Sequence, residues 1–403
     1  MADTQSGNAA SNGSRWLILA LLFACRTGLG FQFQTLGSVS GSLVAELGFS
    51  FAEIGTLIGL FMLPGLVLAL PAGYAGRYLP DRALVAIGLM ALGLGGAIAS
   101  IAQGFGLLAL GRVASGVGFV VSTIYLTKMV ADWFAGRELA TAMGTLVMSW
   151  PFGIAMGQIG HVWIAANVDW RAAFLVAAAY CFAGAVALFL LYRPPPHVSR
   201  AQMAGPIGLP RSELVLTLLA ATVWGLFNAG YVVYLSFAPL VLVAGGYGAT
   251  QAAAVISIAS WVMIFSGTIC GRIADRSGRH DQLLYGCTAV AVLVLLLLRQ
   301  TSIAVALSLL FGLIGIAPAG VIMALTGQAM APQRRAFGMG VFFTLYFVMM
   351  TLAPPLAGWL YDRGGDPYWP IVFAAALFAL GALANLAFRV AQRIFAASAT
   401  TRN

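Results

Sequence analysis

With 403 residues, 61% of them hydrophobic and 8% charged, and a mean hydropathy of +0.94, the chain has too few charges to cover a water-facing surface. That composition excludes two or three ordinary soluble domains. The net charge of +9 is scattered over connecting segments with no cluster or aromatic interleaving, so a nucleic-acid partner is not expected.

The apolar residues fall into blocks of roughly 20, the length a helix needs to cross about 30 Å of hydrocarbon. In lipid such blocks must be helices, because each backbone group has to find its partner within the segment. The expected fold class is an all-α membrane protein of twelve transmembrane helices, at residues 16–43, 52–72, 83–102, 105–127, 140–164, 171–192, 214–243, 250–271, 283–299, 302–325, 337–360 and 369–390. Residues 1–14 are then a cytoplasmic tail, 15–192 an N-terminal six-helix bundle, 193–213 a cytoplasmic linker, 214–392 a C-terminal six-helix bundle and 393–403 a second cytoplasmic tail. The linker is the only long polar connection and carries Pro194-Pro195-Pro196, Pro206 and Pro210. With both termini cytoplasmic, Arg171, Arg299 and Arg363 fall outside and Arg26 and Arg112 within helices, leaving 16 of the 21 Lys and Arg residues inside. That asymmetry is the positive-inside rule. The expected setting is a bacterial inner membrane, with the bilayer and a small-molecule substrate as partners and the chain a monomer.

In chain order, the first span carries Arg26 about eleven residues in, close to the midplane. At helical spacing Arg26, Gly30, Phe33 and Gly37 share one stripe, with Gln34 beside it. Pro64-Gly65 interrupts the second span. Arg112 lies in the fourth span, about seven residues from its periplasmic end. The fifth holds Trp150, Pro151 and His161, the last near the periplasmic end, where an interfacial position is the default. Trp224, Asn228 and Tyr231 form a stripe on the seventh span, and Trp261 and Tyr346 lie near mid-depth in the eighth and eleventh. Pro318 and Pro354-Pro355 sit inside the tenth and eleventh, where prolines weaken the ladder and permit kinks. Paired glycines such as Gly111/Gly116 and Gly312/Gly315 read first as close helix packing. Cys25, Cys181, Cys270 and Cys287 fall in spans without paired spacing and read as small apolar fillers.

Sliding the second half over the first by about 198 residues aligns Gly73 with Gly271 and Trp224 with Arg26, the mark of a duplicated six-helix unit. Within the repeat, Gly271-Arg272-Ile273-Ala274-Asp275-Arg276-Ser277-Gly278-Arg279-His280, expected as the loop between the eighth and ninth spans, resembles the major facilitator signature G-x-x-x-D-R-x-G-R-[RK] and departs only at His280. The stretch Gly111-Arg112 to Gly116-Val117-Gly118 resembles the family's R-x-x-x-G-x-G pattern. The resemblance covers the whole chain. It implies the two-bundle fold, alternating access, and gating roles for Gly271, Asp275, Arg276, Gly278 and Arg279. In the first-half copy, Gly73 to Arg82, Arg77 stands where the family has Asp and Asp81 where it has Arg. A reversed gating pair and a plain cationic anchor at Arg77 are both open. The Gly-Pro motif typical of antiporters is absent from Trp150-Pro151-Phe152-Gly153. The arginine of the first span and the degenerate first signature are similar to the cyanate and nitroimidazole porter group.

A cation at the bilayer centre costs roughly 2.5–3.5 kcal/mol on insertion scales and therefore faces protein or a water cavity. No Asp or Glu lies in any expected span interior, so a carboxylate partner in the membrane is not expected for either arginine. A guanidinium fork suits a carboxylate or similar planar anion. The candidate substrate-binding residues are Arg26, Gln34, Arg112, Trp150, Trp224, Asn228, Tyr231, Trp261 and Tyr346. The expected activity is secondary active or facilitative transport of a small anionic solute, as uniport, exchange, or symport with the proton on the substrate. A proton-coupled multidrug or metabolite exporter and a non-transporting sensor on the same fold are the competing readings. With no G-x-x-x-x-G-K-[ST] loop, no H-E-x-x-H and no intramembrane carboxylate pair, neither an enzyme, a cofactor nor a metal is expected.

Overall fold

In a computed structural model of the chain, residues 3–76, 78–134, 138–195 and 208–400 are described. They form α1 (Asp3–Leu47), α2 (Phe51–Leu60), α3 (Pro64–Ala75), α4 (Asp81–Ser100), α5 (Phe105–Trp133), α6 (Leu139–Asn167), α7 (Trp170–Leu191), α8 (Arg211–Ala244), α9 (Ala249–Ser277) and α10 (His280–Leu297). A 3-10 turn (Thr301–Ile303), α11 (Ala304–Leu310), a π-helix (Phe311–Gly315), α12 (Ala319–Met323), α13 (Leu325–Ala329), a second 3-10 turn (Pro332–Arg334), α14 (Arg335–Gly364) and α15 (Tyr368–Thr400) follow. Among the described residues eleven of the twelve spans are long and apolar enough to cross a membrane. The remaining one, α6, carries Gln158 and His161 within its span.

Local chemistry sets several boundaries. Ser50 and Glu53 form a capping box at α2, the Ser50 hydroxyl accepting from the Glu53 N–H and the Glu53 carboxylate from the Ser50 N–H. The second span breaks between Leu60 and Pro64, because a proline at helix position N1 starts a helix more readily than it continues one. The tenth breaks at the π-helix and Pro318, whereas Pro151 and Pro354-Pro355 stay inside continuous α6 and α14.

The signature segment departs from the expected loop. Gly271 to Ser277 continue α9, and only Gly278 and Arg279 separate it from α10. Hydropathy marks where lipid contact ends, and an interfacial helix continues past that point while its charged residues reach water. Gly278 adopts φ 66°, and its N–H bonds to the Ala274 carbonyl at 2.9 Å, so the signature glycine is the left-handed cap that ends α9. For the same reason α1 begins at Asp3, well before its apolar block.

By contact the helices group into two units, residues 1–35 with 68–202, and 36–67 with 203–403. In the first unit α4 and α5 meet backbone to backbone. A Cβ on Gly111 would press on the Gly95 carbonyl and one on Gly118 on the Gly88 carbonyl, so these glycines serve close packing. In the second unit α2 lies on α14 in the same way, Gly55 against Pro354, Gly59 against Thr351 and Gly358 against Phe51. That seam is why residues 36–67 group with the second half of the chain.

Candidate functional site in each helical unit

In the first unit Gly30 and Gly153 bring α1 and α6 together, since a Cβ on either would overlap the facing carbonyl of Trp150 or Thr27. This contact carries the Arg26 guanidinium to the Leu146 carbonyl, which accepts its Nη1–H at 2.8 Å. Arg26 is half-buried. Arg112, on α5, is 1% exposed and donates through Nη1 and Nη2 to the Gln32 and Phe33 carbonyls of α1, both at 3.3 Å. Its guanidinium carbon lies 5.9 Å from the Phe33 ring. The same buried seam contains Gln32 Nε2, 3.5 Å from Ser115 Oγ, and Gly96 leaves the room that the Gln32 amide occupies.

Trp150 joins this cluster, with ring centroids 5.4 Å from Phe33 and 5.2 Å from Phe119. Gln34 is buried against Gly157, one turn before His161. His161 is wholly buried beside Phe31, ring centroids 4.2 Å apart. The α1 and α6 backbones stay close enough there to enclose the imidazole.

In the second unit Trp224 stands half-buried on α8, 6.5 Å from Tyr346 of α14, which also contacts Phe343 and Phe347. Asn228 donates its amide to the Trp224 carbonyl of its own helix at 2.8 Å. Tyr231 is buried and shares a 2.8 Å hydrogen bond with Ser260 of α9, the residue before half-buried Trp261. The expected stripe therefore divides. Trp224 and Tyr346 form an aromatic wall, while the Tyr231 hydroxyl ties α8 to α9.

Of the first signature copy, Arg77 lies outside the described residues. Gly73 is helical in α3, and Asp81, in the first turn of α4, is ion-paired with Lys128, which also bonds Asp132 at 3.0 Å. The Tyr125 hydroxyl holds the end of α3, donating to the Ala72 carbonyl at 2.7 Å and accepting from the Gly76 N–H at 2.6 Å. In the second copy the Asp275 carboxylate lies 3.6 Å from His280 Nε2, and Arg276 is exposed in the last turn of α9.

Sequence reasoning missed several polar anchors. Asp362 of α14 accepts the N–H groups of Phe51 and Ala52. Asn385, wholly buried on α15, donates to Asp281 at 3.2 Å and to the Tyr285 hydroxyl at 3.1 Å. An asparagine inside the last apolar block and the single lysine of the chain were the available signals.

Long apolar helices packed through glycine, with two arginines and aromatic rings held inside the first unit and an aromatic wall in the second, mark a multi-span membrane protein. A sequence profile described as Major Facilitator Superfamily matches residues 22–353, and the chain belongs to that family. It is 22% identical to the cis,cis-muconate transport protein of Acinetobacter baylyi over 94% of this chain and 96% of that one. It is 26% identical to the probable L-galactonate transporter of Escherichia coli over 38% of this chain and 34% of that protein. It is 25% identical to an Escherichia coli D-galactonate transporter over 47% and 44%. The matches to the galactonate and hexuronate transporters thus span less than half of those proteins. The fold is similar to a bacterial homolog of the human lysosomal transporter Spinster, with TM-score 0.76, 16% identity and coverage of 94% and 97%. It is also similar to the nucleoside transporter NupG, with TM-score 0.74, 14% identity and coverage of 92% and 99%. The finer likeness to the cyanate and nitroimidazole porters receives no support from these relatives.

Proposed function

We propose that the protein moves a small organic carboxylate across a bacterial inner membrane, with Arg26 as its principal anion-binding group. The observation that carries this reading is the contrast between the two membrane arginines. Arg112 is enclosed and holds the Gln32 and Phe33 carbonyls, while Arg26, which donates through Nη1 to the Leu146 carbonyl, is only half-buried. A guanidinium in such a setting favours a planar anion, because low dielectric strengthens its attraction and its fork matches two carboxylate oxygens. Relatives named for galactonate, hexuronate and muconate, all carboxylates, support the substrate class.

In this reading Arg112 is a positioning residue that fixes α1, Trp150 and Gln34 shape the first unit's share of the site, and the Trp224–Tyr346 wall shapes the second's. Transport proceeds by alternating access, with residues 15–192 and 214–392 as the moving bundles and both termini cytoplasmic. The α2–α14 seam must then part and re-form in each cycle.

Proteoliposome uptake of galactonate, a hexuronate and cis,cis-muconate, with Arg26→Ala in parallel, tests the proposal. Uptake of at least one anion that Arg26→Ala abolishes is expected. A variant that takes up every anion normally sinks the role of Arg26, and extrusion of quaternary ammonium dyes against a proton gradient favours the exporter reading.

A further inference from the structure

On the second unit, two hollows follow one another along the helix pair α10 and α15. One, of about 490 Å³, is apolar and lined by Tyr285, Thr288, Val292 and Leu296 of α10 and by Ala379 and Leu383 of α15. Its walls are open to the surroundings, Leu383 being 60% and Leu296 44% exposed. The other, of about 400 Å³, is polar, sits at the start of α10, and is lined by Arg279, His280, Asp281, Gln328 and Arg389. Tyr285 links them, because it lines the first and receives the Asn385 amide hydrogen bond that also reaches Asp281 in the second.

The dimensions select an occupant. From Tyr285 to Leu296 the helix advances about 17 Å at 1.5 Å per residue, close to half of the roughly 30 Å hydrocarbon core. The apolar hollow therefore runs about as far as one leaflet is deep, and the polar one adjoins its end at the start of α10. Charge completes the match. Asp281 is engaged by Arg389, whose Nε donates to it at 2.8 Å, and by Asn385, while Asp275 lies beside His280. Arg279 has no carboxylate partner among the described residues, and Arg393 follows Arg389 by one turn of α15. The head-group end is thus net cationic and the shaft apolar.

We infer that this groove is a binding site for an anionic phospholipid, its phosphate at Arg279 and one acyl chain along α10 and α15. In the orientation proposed above the lipid comes from the cytoplasmic leaflet, whose surface is anionic. A lipid seated there bridges the α9–α10 connection and α15, the place where the signature segment ends.

The test is native mass spectrometry of the full-length protein, freed of lipid in detergent and titrated with phosphatidylglycerol or with phosphatidylcholine of the same chain length. Phosphatidylglycerol is expected to bind about fivefold more tightly, the weight of one basic residue at an anionic membrane surface. Arg279→Gln, at an exposed position, should erase that preference and leave phosphatidylcholine binding unchanged. Ala289→Phe, on the exposed groove wall, should weaken both lipids. Equal binding of the two lipids by the unaltered chain overturns the inference, and so does a preference that survives Arg279→Gln. Displacement of phosphatidylglycerol by an equal concentration of glycerol phosphate would mean a soluble anion occupies the polar end without using the groove, which overturns it too.

Discussion

The carboxylate of Asp362 accepts a hydrogen bond from the Phe51 N–H at 2.9 Å through Oδ1, while Oδ2 accepts the next N–H of α2, that of Ala52, at 2.7 Å. A helix leaves its first N–H groups without intrahelical partners, and its N-terminus carries positive partial charge, so one carboxylate satisfies both needs. Asp362 thus extends the Ser50–Glu53 capping box and fastens α2 to α14.

Asp362→Ala removes both acceptors and should weaken the start of α2 by about 1 kcal/mol, the usual loss for a capping side chain. Hydrogen–deuterium exchange of residues 51–60 should quicken about fivefold at that cost, while exchange in α4 stays unchanged. If residues 51–60 exchange at the original rate, the cap does not hold the seam.

Arg26→Lys keeps the charge and loses the two-pronged donor geometry. For a carboxylate substrate the KM for uptake should rise about tenfold, equivalent to about 1.4 kcal/mol, with the maximal rate changed much less. An unaltered KM would mean that the substrate meets Arg26 as a point charge or not at all.

Arg112 should respond differently. Arg112→Met leaves the Gln32 and Phe33 carbonyls without its two hydrogen bonds and should destabilise the first unit by about 2 kcal/mol. Thermal unfolding in detergent should show a larger drop in midpoint for Arg112→Met, which loses two buried hydrogen bonds, than for Arg26→Ala, which loses one at a half-buried position. Equal midpoints for Arg112→Met and the unaltered protein would remove Arg112 from its positioning role.

Glycines separate packing from tolerance. Gly358→Ala places a methyl group into the Phe51 carbonyl, whereas Gly160→Ala meets nothing within 4 Å. Size-exclusion profiles should show loss of monodisperse protein for Gly358→Ala and none for Gly160→Ala. A monodisperse Gly358→Ala would show that α2 can retreat from α14.

Much of the fold is legible because lipid imposes a simple rule: an apolar block of sufficient length must be a helix. Hence the positions of the twelve spans and the breaks at Pro64 and Pro318 follow from the residues. Their ends do not, since a helix can run on into the interface on polar side chains, as α9 does through Asp275 and Arg276. The site is legible only in part. Arg26 and Arg112 stand out by their cost in hydrocarbon, but one chain position does not tell how far the packed helices enclose a side chain, and that separates half-buried Arg26 from enclosed Arg112. Nor could the Asp362 cap be read ahead, because it joins residues 311 apart in sequence, and its aspartate resembles any other at a helix end.

The π-helix at Phe311–Gly315 has a consequence for where side chains point. Hydrogen bonds from residue i to i+5 take in one more residue per turn than the α-helical pattern, so the facing of side chains is rotated by about 100° across the segment. Residues spaced at 3.6 from Ala304 onward therefore leave their starting face after Gly315. The side of the span that meets α9 near Gly312 is continued beyond Pro318 by a different set of positions, and a substitution scan of this span would have to be phased twice, once on each side of the π-turn.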